Sequence, residues 1–543
     1  MKKRRLAWIG AIAATAIALT GCSGGGGSEG DGEDGTLTYL EPQTWITLYP
    51  PAGGFYPNGG VINQITDRLL YQNPETLELE PWIAEELPEV NEDATEYTFT
   101  LREGVTYSDG TPLDAENVVK NFDLFGKGDP DRALPVSEAI NNYDRGEVID
   151  ERTVKFTFND SSPGFAQAVS TINSGLVSND TLDRTSEEFG PGNAAEIIGS
   201  GPFVVADEEI GSELNLTTRE DYDWAPPTRE HQGAAQIDGV DFIVAGEASV
   251  RVGTVTSGQA DIARTIPAPD EGQFDADGLE LVAAATNGVN NGLNLRFGHP
   301  LLQDIKVRQA IIAGVDRQEI IDTLFTDSYP LATGVLAKTA LGYTDTSSAY
   351  AYDPDRANEL LDDAGWETGS DGIREKDGER LVLTFNEALP QPRSKEVVTL
   401  IQEQLAEVGI GVEIFPGDQV AQDEAQRSLD TIQVFHSMVG RADFDVLKSQ
   451  YFSGNRNALV NLNPDTDEIF DQELDDQLAE IASVPTTEER EAASAAAQQR
   501  LTDQAYVLPL FEEPQVFGLR SEVQGFMTES IGRPSFYEVT LAQ

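Results

Sequence analysis

The sequence predicts an α/β protein of two or three domains, each a sheet covered by helices. Three observations carry this. Segments that alternate in hydrophobicity interleave, in both halves of the chain, with segments whose apolar residues recur at helical spacing. The length, 543 residues, exceeds what one apolar core usually accommodates. The only cysteine is Cys22, so no disulfide can brace the fold and stability must come from packing.

The elements follow in chain order. Thr36–Leu40 reads as a first strand, and Glu96–Leu101 alternates as another. Asp114 is placed to cap a helix whose Val118, Phe122 and Phe125 share one face. Thr153–Phe158 alternates again. Gly201–Ala206 and Leu214–Thr218, separated by Gly211, form a predicted hairpin. Asp304 caps a helix through Val307, Ile311 and Val315. Asp353-Pro354 starts a helix with proline at its first position, and Gly365 ends it after Ala357, Leu360, Leu361 and Ala364. Val397, Ile401, Leu405 and Val408 make a stripe that stops at Gly409. Thr486 and Glu489 form a capping box for an alanine-rich helix reaching Leu501.

The N-terminus has a different character. Lys2, Lys3, Arg4 and Arg5 precede an apolar run from Leu6 to Leu19, which is too short for an ordinary membrane span. Thr20 and Gly21 are small, and Cys22 follows. This is the layout of a bacterial lipoprotein signal, with the Cys22 thiol as lipid acceptor. Residues 1–21 are then a removed leader, and 22–35, rich in Gly, Ser and acids, a flexible tether. The expected location is outside the cell, anchored to the cell membrane.

The formal charge of −58 becomes −62 once the four basic residues of the leader are removed. So negative a chain is unsuited to nucleic acid or to anionic lipid head groups. Its acids are spread along the whole length, as in a solvated acidic surface. No Walker-type or His-Glu-x-x-His motif occurs, and no Gly-x-Ser-x-Gly joins a predicted strand to a helix (the pattern occurs only within the glycine-rich stretch 21–30), which argues against an enzyme and gives no reason to expect a cofactor.

Several segments, in order, resemble the family 5 extracellular solute-binding proteins, the receptors of dipeptide, oligopeptide and nickel ABC importers. They begin with Leu101-Arg102-Glu103-Gly104-Val105-Thr106-Tyr107-Ser108-Asp109-Gly110-Thr111-Pro112 and Asp114-Ala115-Glu116-Asn117-Val118. Gly199-Ser200-Gly201-Pro202-Phe203, Arg219 with Tyr222-Asp223-Trp224, and Ser257-Gly258-Gln259-Ala260-Asp261 follow. Val307-Arg308-Gln309-Ala310, Val315-Asp316-Arg317, Tyr352-Asp353-Pro354 and Val523-Gln524-Gly525-Phe526 complete the set. Most of these residues suit architecture; Arg308 and Asp316-Arg317, for instance, suit ion pairs that orient helices.

The resemblance implies a two-lobed periplasmic-binding-protein-like fold of type II, in its large peptide-binding subgroup. Lobe I would comprise 36–60, an inserted subdomain at 61–194, a return at 195–288 and a closing piece at 506–543. Lobe II would span 289–505. Crossovers are expected near Val289–Leu295 and Ala505–Leu510, with a hinge in Asn287–Gly292. The role implied is a monomeric receptor that captures a small solute, foremost a short peptide, and passes it to ABC permease subunits. A metal chelate, an opine-like compound or an oligosaccharide is the alternative solute. A secreted hydrolase or an adhesive lipoprotein is a more distant reading.

By the same resemblance Asp443, in Gly440-Arg441-Ala442-Asp443-Phe444-Asp445, would pair with a peptide's α-ammonium. Asp445 competes for that role. Arg441 would meet a ligand carboxylate or balance its acidic neighbours. Phe55 and Tyr56, after Pro50-Pro51, would wall the cleft, as would Trp45 more weakly. His436 is one of three histidines and suits hydrogen bonding better than metal ligation, which needs several converging ligands. No metal site is expected.

Overall fold

The computed structural model describes residues 35–389, 391–455 and 460–542. The leader, Cys22 and the tether up to residue 34 lie outside the described residues. The element signals above appear where local chemistry placed them. The Asp114 carboxylate accepts the Asn117 backbone N–H at 2.9 Å and starts the helix Ala115–Lys127, with Val118, Phe122 and Phe125 fully buried. Asp353 does the same for Pro354–Asp363, and Gly365 ends that helix at φ +82°. The Thr486–Glu489 capping box is formed in full on the helix Thr487–Asp503. Phe203–Glu209 and Glu213–Thr218 pair antiparallel around Gly211.

These elements assemble on two main sheets. In the seven-stranded sheet Thr36–Glu41 runs parallel to Gly239–Val244 on one side and Ile262–Arg264 on the other. The hairpin 203–218 extends one edge; Gln515–Arg520 and then Leu279–Ala284 extend the other. The five-stranded sheet has the order Gly411–Ile414, Val382–Phe385, Val434–Val439, Val289–Leu295, Val507–Phe511. A four-stranded sheet inserted after the first strand places Tyr97, Phe99, Val154 and Phe156 inward, where Phe156 meets Phe122 at 4.8 Å between ring centroids. Helices cover the sheets, as the alternating pattern requires.

The chain leaves the seven-stranded sheet over residues 285–288 and returns to it over 512–514. Two details differ from the sequence reading. Val507–Phe511, expected in the closing piece, pairs with Val289–Leu295 in the five-stranded sheet, so the return lies beyond Ala505–Leu510. Every residue of this strand is buried, which a position beside a central strand provides. In the expected hinge Asn287–Gly292, Val289 onward is that central strand. Its asparagines look like loop residues, but their amides are spent on neighbouring backbone. Asn290 Nδ2 donates to the carbonyls of Gly334 and Leu336, and Asn294 Nδ2 to that of Phe435.

Arg308 and Arg317 make no ion pairs among the described residues. Arg308 donates to the carbonyls of Leu302 and Gln504, and Arg317 to those of Ala332 and Pro509. Leu302, Gln504 and Ala332 lie outside the strands, so their carbonyls lack ladder partners, and a planar guanidinium reaches two acceptors at once. Burial without a carboxylate pushes the Arg317 guanidinium down to about 10.

Candidate functional site at the seam between the sheets

The two crossings lie side by side. The Thr286 hydroxyl donates to the Glu513 carbonyl at 2.9 Å. On Gly288 a Cβ would stand 1.9 Å from the Val439 carbonyl oxygen and 2.8 Å from the Arg441 nitrogen. Only glycine admits that approach, and it brings the segment after Val434–Val439 onto the first crossing. This segment carries Arg441, Asp443 and Asp445 before the short helix Val446–Tyr451.

Asp443 is 6 % exposed. Its Oδ2 accepts from Arg441 Nε, while Oδ1 has no hydrogen-bond donor. Burial works against the Arg441 charge, but the Asp443 and Asp445 carboxylates overcome it and hold its pKa above the ordinary value. Asp445 is committed differently. Its Oδ1 accepts from Arg490, which also donates to the Ile481 carbonyl at 2.9 Å. Burial pushes the Asp445 carboxyl up, against the pull of Arg490. Each acid is held by an arginine through one oxygen, and the oxygen left without a donor is fully buried in Asp443.

Contacts cross the seam around this loop. Gln72 Nε2 donates to the Ala442 carbonyl at 2.9 Å, and Arg490 to Gln167 Oε1 at 3.2 Å. The Ser161 hydroxyl donates to the Ser483 carbonyl at 2.6 Å. Residues 72, 161 and 167 follow the first strand; their partners follow the first crossing. The two sides are thus closed on each other.

The other expected residues divide. Tyr56 is half-buried, its ring between the guanidiniums of Arg264, at 4.9 Å, and Arg533, at 4.8 Å, and its hydroxyl donates to the Ile531 carbonyl. Phe55 precedes the helix Tyr56–Ile65 and is also half-buried. Trp45 packs into the core of the seven-stranded sheet. His436 is buried with both ring nitrogens engaged, by Asn291 Oδ1 and, at 3.2 Å, by the Ser394 hydroxyl. Because the Asn291 amide nitrogen donates elsewhere, His436 Nε2 carries the hydrogen in this network. Desolvation lowers the imidazole pKa to about 4, so the ring is neutral at physiological pH.

Sequence reasoning missed the group at the far end of that network. Asn291 Nδ2 donates to Glu513 Oε2 at 2.8 Å and to Gln391 Oε1 at 3.0 Å. Glu513 lies in the second crossing and is 7 % exposed, and burial raises its pKa to about 7 against the pull of the Asn291 amide. The one signal in the sequence is an acidic pair, Glu512-Glu513, that ends a wholly apolar run before Pro514.

Two sheet-centred lobes joined by two short adjacent crossings, with buried charge along the seam, define a two-lobed fold. Comparison with known proteins narrows the class. The family model for bacterial extracellular solute-binding proteins, family 5 (middle region), matches residues 78–458, and the chain belongs to that family. It is similar to the glutathione-binding protein GsiB of Salmonella paratyphi A, 23 % identical over 483 residues, covering 87 % of this chain and 88 % of the relative. Among solved structures it is similar to NikA from Brucella suis in complex with Fe(III)-EDTA, at TM-score 0.77 and 23 % identity, covering 94 % of this chain and 100 % of the other. The oligopeptide-binding protein AppA from Bacillus subtilis, in complex with a nonapeptide, aligns at TM-score 0.73 and 18 % identity, covering 94 % and 99 %. The fold is the two-lobed one that the resemblance implied.

Proposed function

We propose that this solute-binding protein captures a short peptide between its lobes and delivers it to the permease of an ABC importer. In this reading Asp443 receives the peptide's α-ammonium, and Phe55 and Tyr56 border the ligand from the other lobe. Arg441 holds the Asp443 carboxylate and lies within reach of ligand carbonyl or carboxylate groups. His436 acts indirectly, by fixing Asn291. The lobes are 36–284 with 515–542, including the inserted sheet, and 289–511, and they move about the two crossings. A lipid on Cys22 tethers the monomer near its permease, which raises its effective concentration there. The protein binds and releases its solute unchanged.

One observation carries the reading: an oxygen of Asp443, buried where the lobes meet, has no donor. Leaving a buried carboxylate oxygen unpaired is costly, and an ammonium satisfies both its charge and its hydrogen bonding. The glutathione bound by the similar protein GsiB is itself a short peptide with a free α-ammonium.

The test is calorimetric titration of trialanine and N-acetyl-trialanine into wild type and Asp443→Asn. Charged hydrogen bonds and buried pairs of this kind contribute about 2–4 kcal/mol, so acetylation or the substitution should each weaken binding about 30- to 1,000-fold. The two losses should not add, because they remove one interaction. Equal affinity for the free and acetylated peptides would overturn the reading. Mass spectrometry of whatever copurifies gives an independent check, with a metal chelate, an opine-like compound or an oligosaccharide as the result against it.

A further inference from the structure

The buried carboxylates outside the ligand seam each accept at least two hydrogen bonds. Glu41 is paired with Arg264, and Asp471 with Arg500 and the Tyr506 hydroxyl. Asp67 accepts from the Trp224 indole and the Tyr222 hydroxyl, and Asp475 from the Ser453 backbone and hydroxyl. Glu271 accepts from two hydroxyls, those of Thr326 and Ser328, on one oxygen, while its other oxygen has no donor. Glu513 is the exception. It accepts one neutral amide hydrogen bond, from Asn291, and meets no cation within ion-pair distance among the described residues.

Its position makes that exception informative. Glu513 stands in one of the two crossings, tied through its carbonyl to the other. Its carboxylate meets Asn291 of the five-stranded sheet, and the next strand, Gln515–Arg520, belongs to the seven-stranded sheet, so it lies where the two sheets join. The arginines on either side of Tyr56 are committed elsewhere. Arg264 serves Glu41 and Gln515, while Arg533 serves Glu529 and the carbonyls of Gly53 and Gly54. Asn291 is held rigidly by Gln391 and by His436, itself fixed by Ser394. A carboxylate so positioned, and left without a countercharge by the protein, is arranged to take one from the ligand.

We propose that Glu513 is a second ligand-facing carboxylate, which selects solutes carrying a cationic group in addition to the α-ammonium, such as peptides with a lysine side chain. This rests on the peptide reading of Asp443, and the experiment separates the two. An alternative chemistry, a protonated Glu513 donating to a ligand carbonyl, predicts the opposite proton balance.

The groups facing Glu513 set the pH response. Asn291 does not titrate. His436 behind it is neutral above about pH 4. Tyr56 and Tyr329 are both raised by burial and remain neutral, with Arg264 and Arg533 beside the first and Arg393 acting on the second. Glu513 itself, raised to about 7 by burial, changes charge near neutral pH. Pairing with a ligand ammonium expels its proton, and affinity for a lysine peptide falls below that pH.

The test is calorimetry on the full chain at pH 6 and pH 8, in two buffers of different ionisation enthalpy, for wild type and Glu513→Gln. The probes are Ala-Lys-Ala and Ala-Ala-Lys, their norleucine counterparts, and 1,5-diaminopentane. Wild type should favour a lysine peptide over its norleucine isostere by about tenfold or more at pH 8. It should release close to one proton on binding that peptide at pH 6, and none with norleucine. Glu513→Gln should erase both the preference and the proton release while still binding the norleucine peptides. Equal binding of both isosteres by wild type, or a preference that survives Glu513→Gln, overturns the proposal and leaves the Asp443 reading standing. Proton uptake with norleucine peptides that exceeds the uptake shown by Glu513→Gln at the same pH, where the α-amine alone accounts for it, also overturns the proposal, in favour of the donating form. Binding of the diamine alone supports Glu513 and overturns the peptide reading; binding of no probe overturns both.

Discussion

Replacing Gly164 by alanine tests whether the seam contacts belong to the liganded state. Gly164 sits at φ −76°, a conformation that alanine adopts without strain. The obstacle is across the seam. An added Cβ would lie 2.4 Å from Asp445 Oδ2 and 3.3 Å from its Cγ, about 1 Å inside ordinary contact. Asp445 cannot swing away freely, because Arg490 grips its other oxygen and is itself bound to the Ile481 carbonyl. Overpacking of one methyl against a fixed neighbour costs about 1–3 kcal/mol. The clash exists only when the lobes meet, so the cost falls on binding: about 5- to 150-fold in Kd for trialanine. Calorimetry reads the affinity, and small-angle scattering with and without peptide reads the compaction. The ligand-free melting temperature should move little, since the small loss of helix capping and the gain from a stiffer unfolded chain oppose each other. Unchanged affinity together with full compaction would refute the reasoning.

Two further outcomes concern stability. Burial raises the Asp67 carboxyl to about 7 despite the donors Trp224, Ser200 and Tyr222. Its folded pKa therefore exceeds its unfolded one, the native state holds the extra proton between about pH 4 and 7, and the stability it confers is lost as pH rises through that window. The change is up to about 4 kcal/mol at 1.36 kcal/mol per unit, so urea unfolding of Asp67→Asn at pH 5 and pH 7.5 should show a pH slope flatter by a substantial part of that amount. Gly288→Ala forces a methyl against the backbone carbonyl of Val439, which has no rotamer to yield, and urea unfolding should show a loss of about 1–3 kcal/mol.

Much of the fold was legible because its signals are local. The Asp114 cap, the proline after Asp353 and the Thr486–Glu489 box act within one helical turn, and each formed as read. The hairpin around Gly211 depends on a glycine at φ +81° between two alternating strands. Sheet membership is not local. Val507–Phe511 is an apolar run that suits any covered strand, and only its pairing with Val289–Leu295 assigns it to the five-stranded sheet. The run Val289–Leu295 looked like a hinge because asparagine and glycine favour turns; its amides find backbone partners only once Gly334, Leu336 and Phe435 are in place.

The site was legible to a different depth. The resemblance pointed to Gly440–Asp445 and put Asp443 first with Asp445 competing, since charge alone cannot show which carboxylate keeps a fully buried oxygen without a donor. Glu513 was hidden more deeply. In a chain with 94 acidic residues one more glutamate carries no information. Burial supplies what composition lacks, because a surface carboxylate is solvated by water whereas an interior one must find a donor in the protein or in what the protein binds. The same argument limits what the acidic surface does. At physiological salt its field decays over about 8 Å, so it raises the concentration of cations generally without choosing among them. In the proposed binding mode, discrimination between two cationic peptides comes from the buried carboxylates of Asp443 and Glu513, where screening is weakest and position is fixed by Arg441 and Asn291.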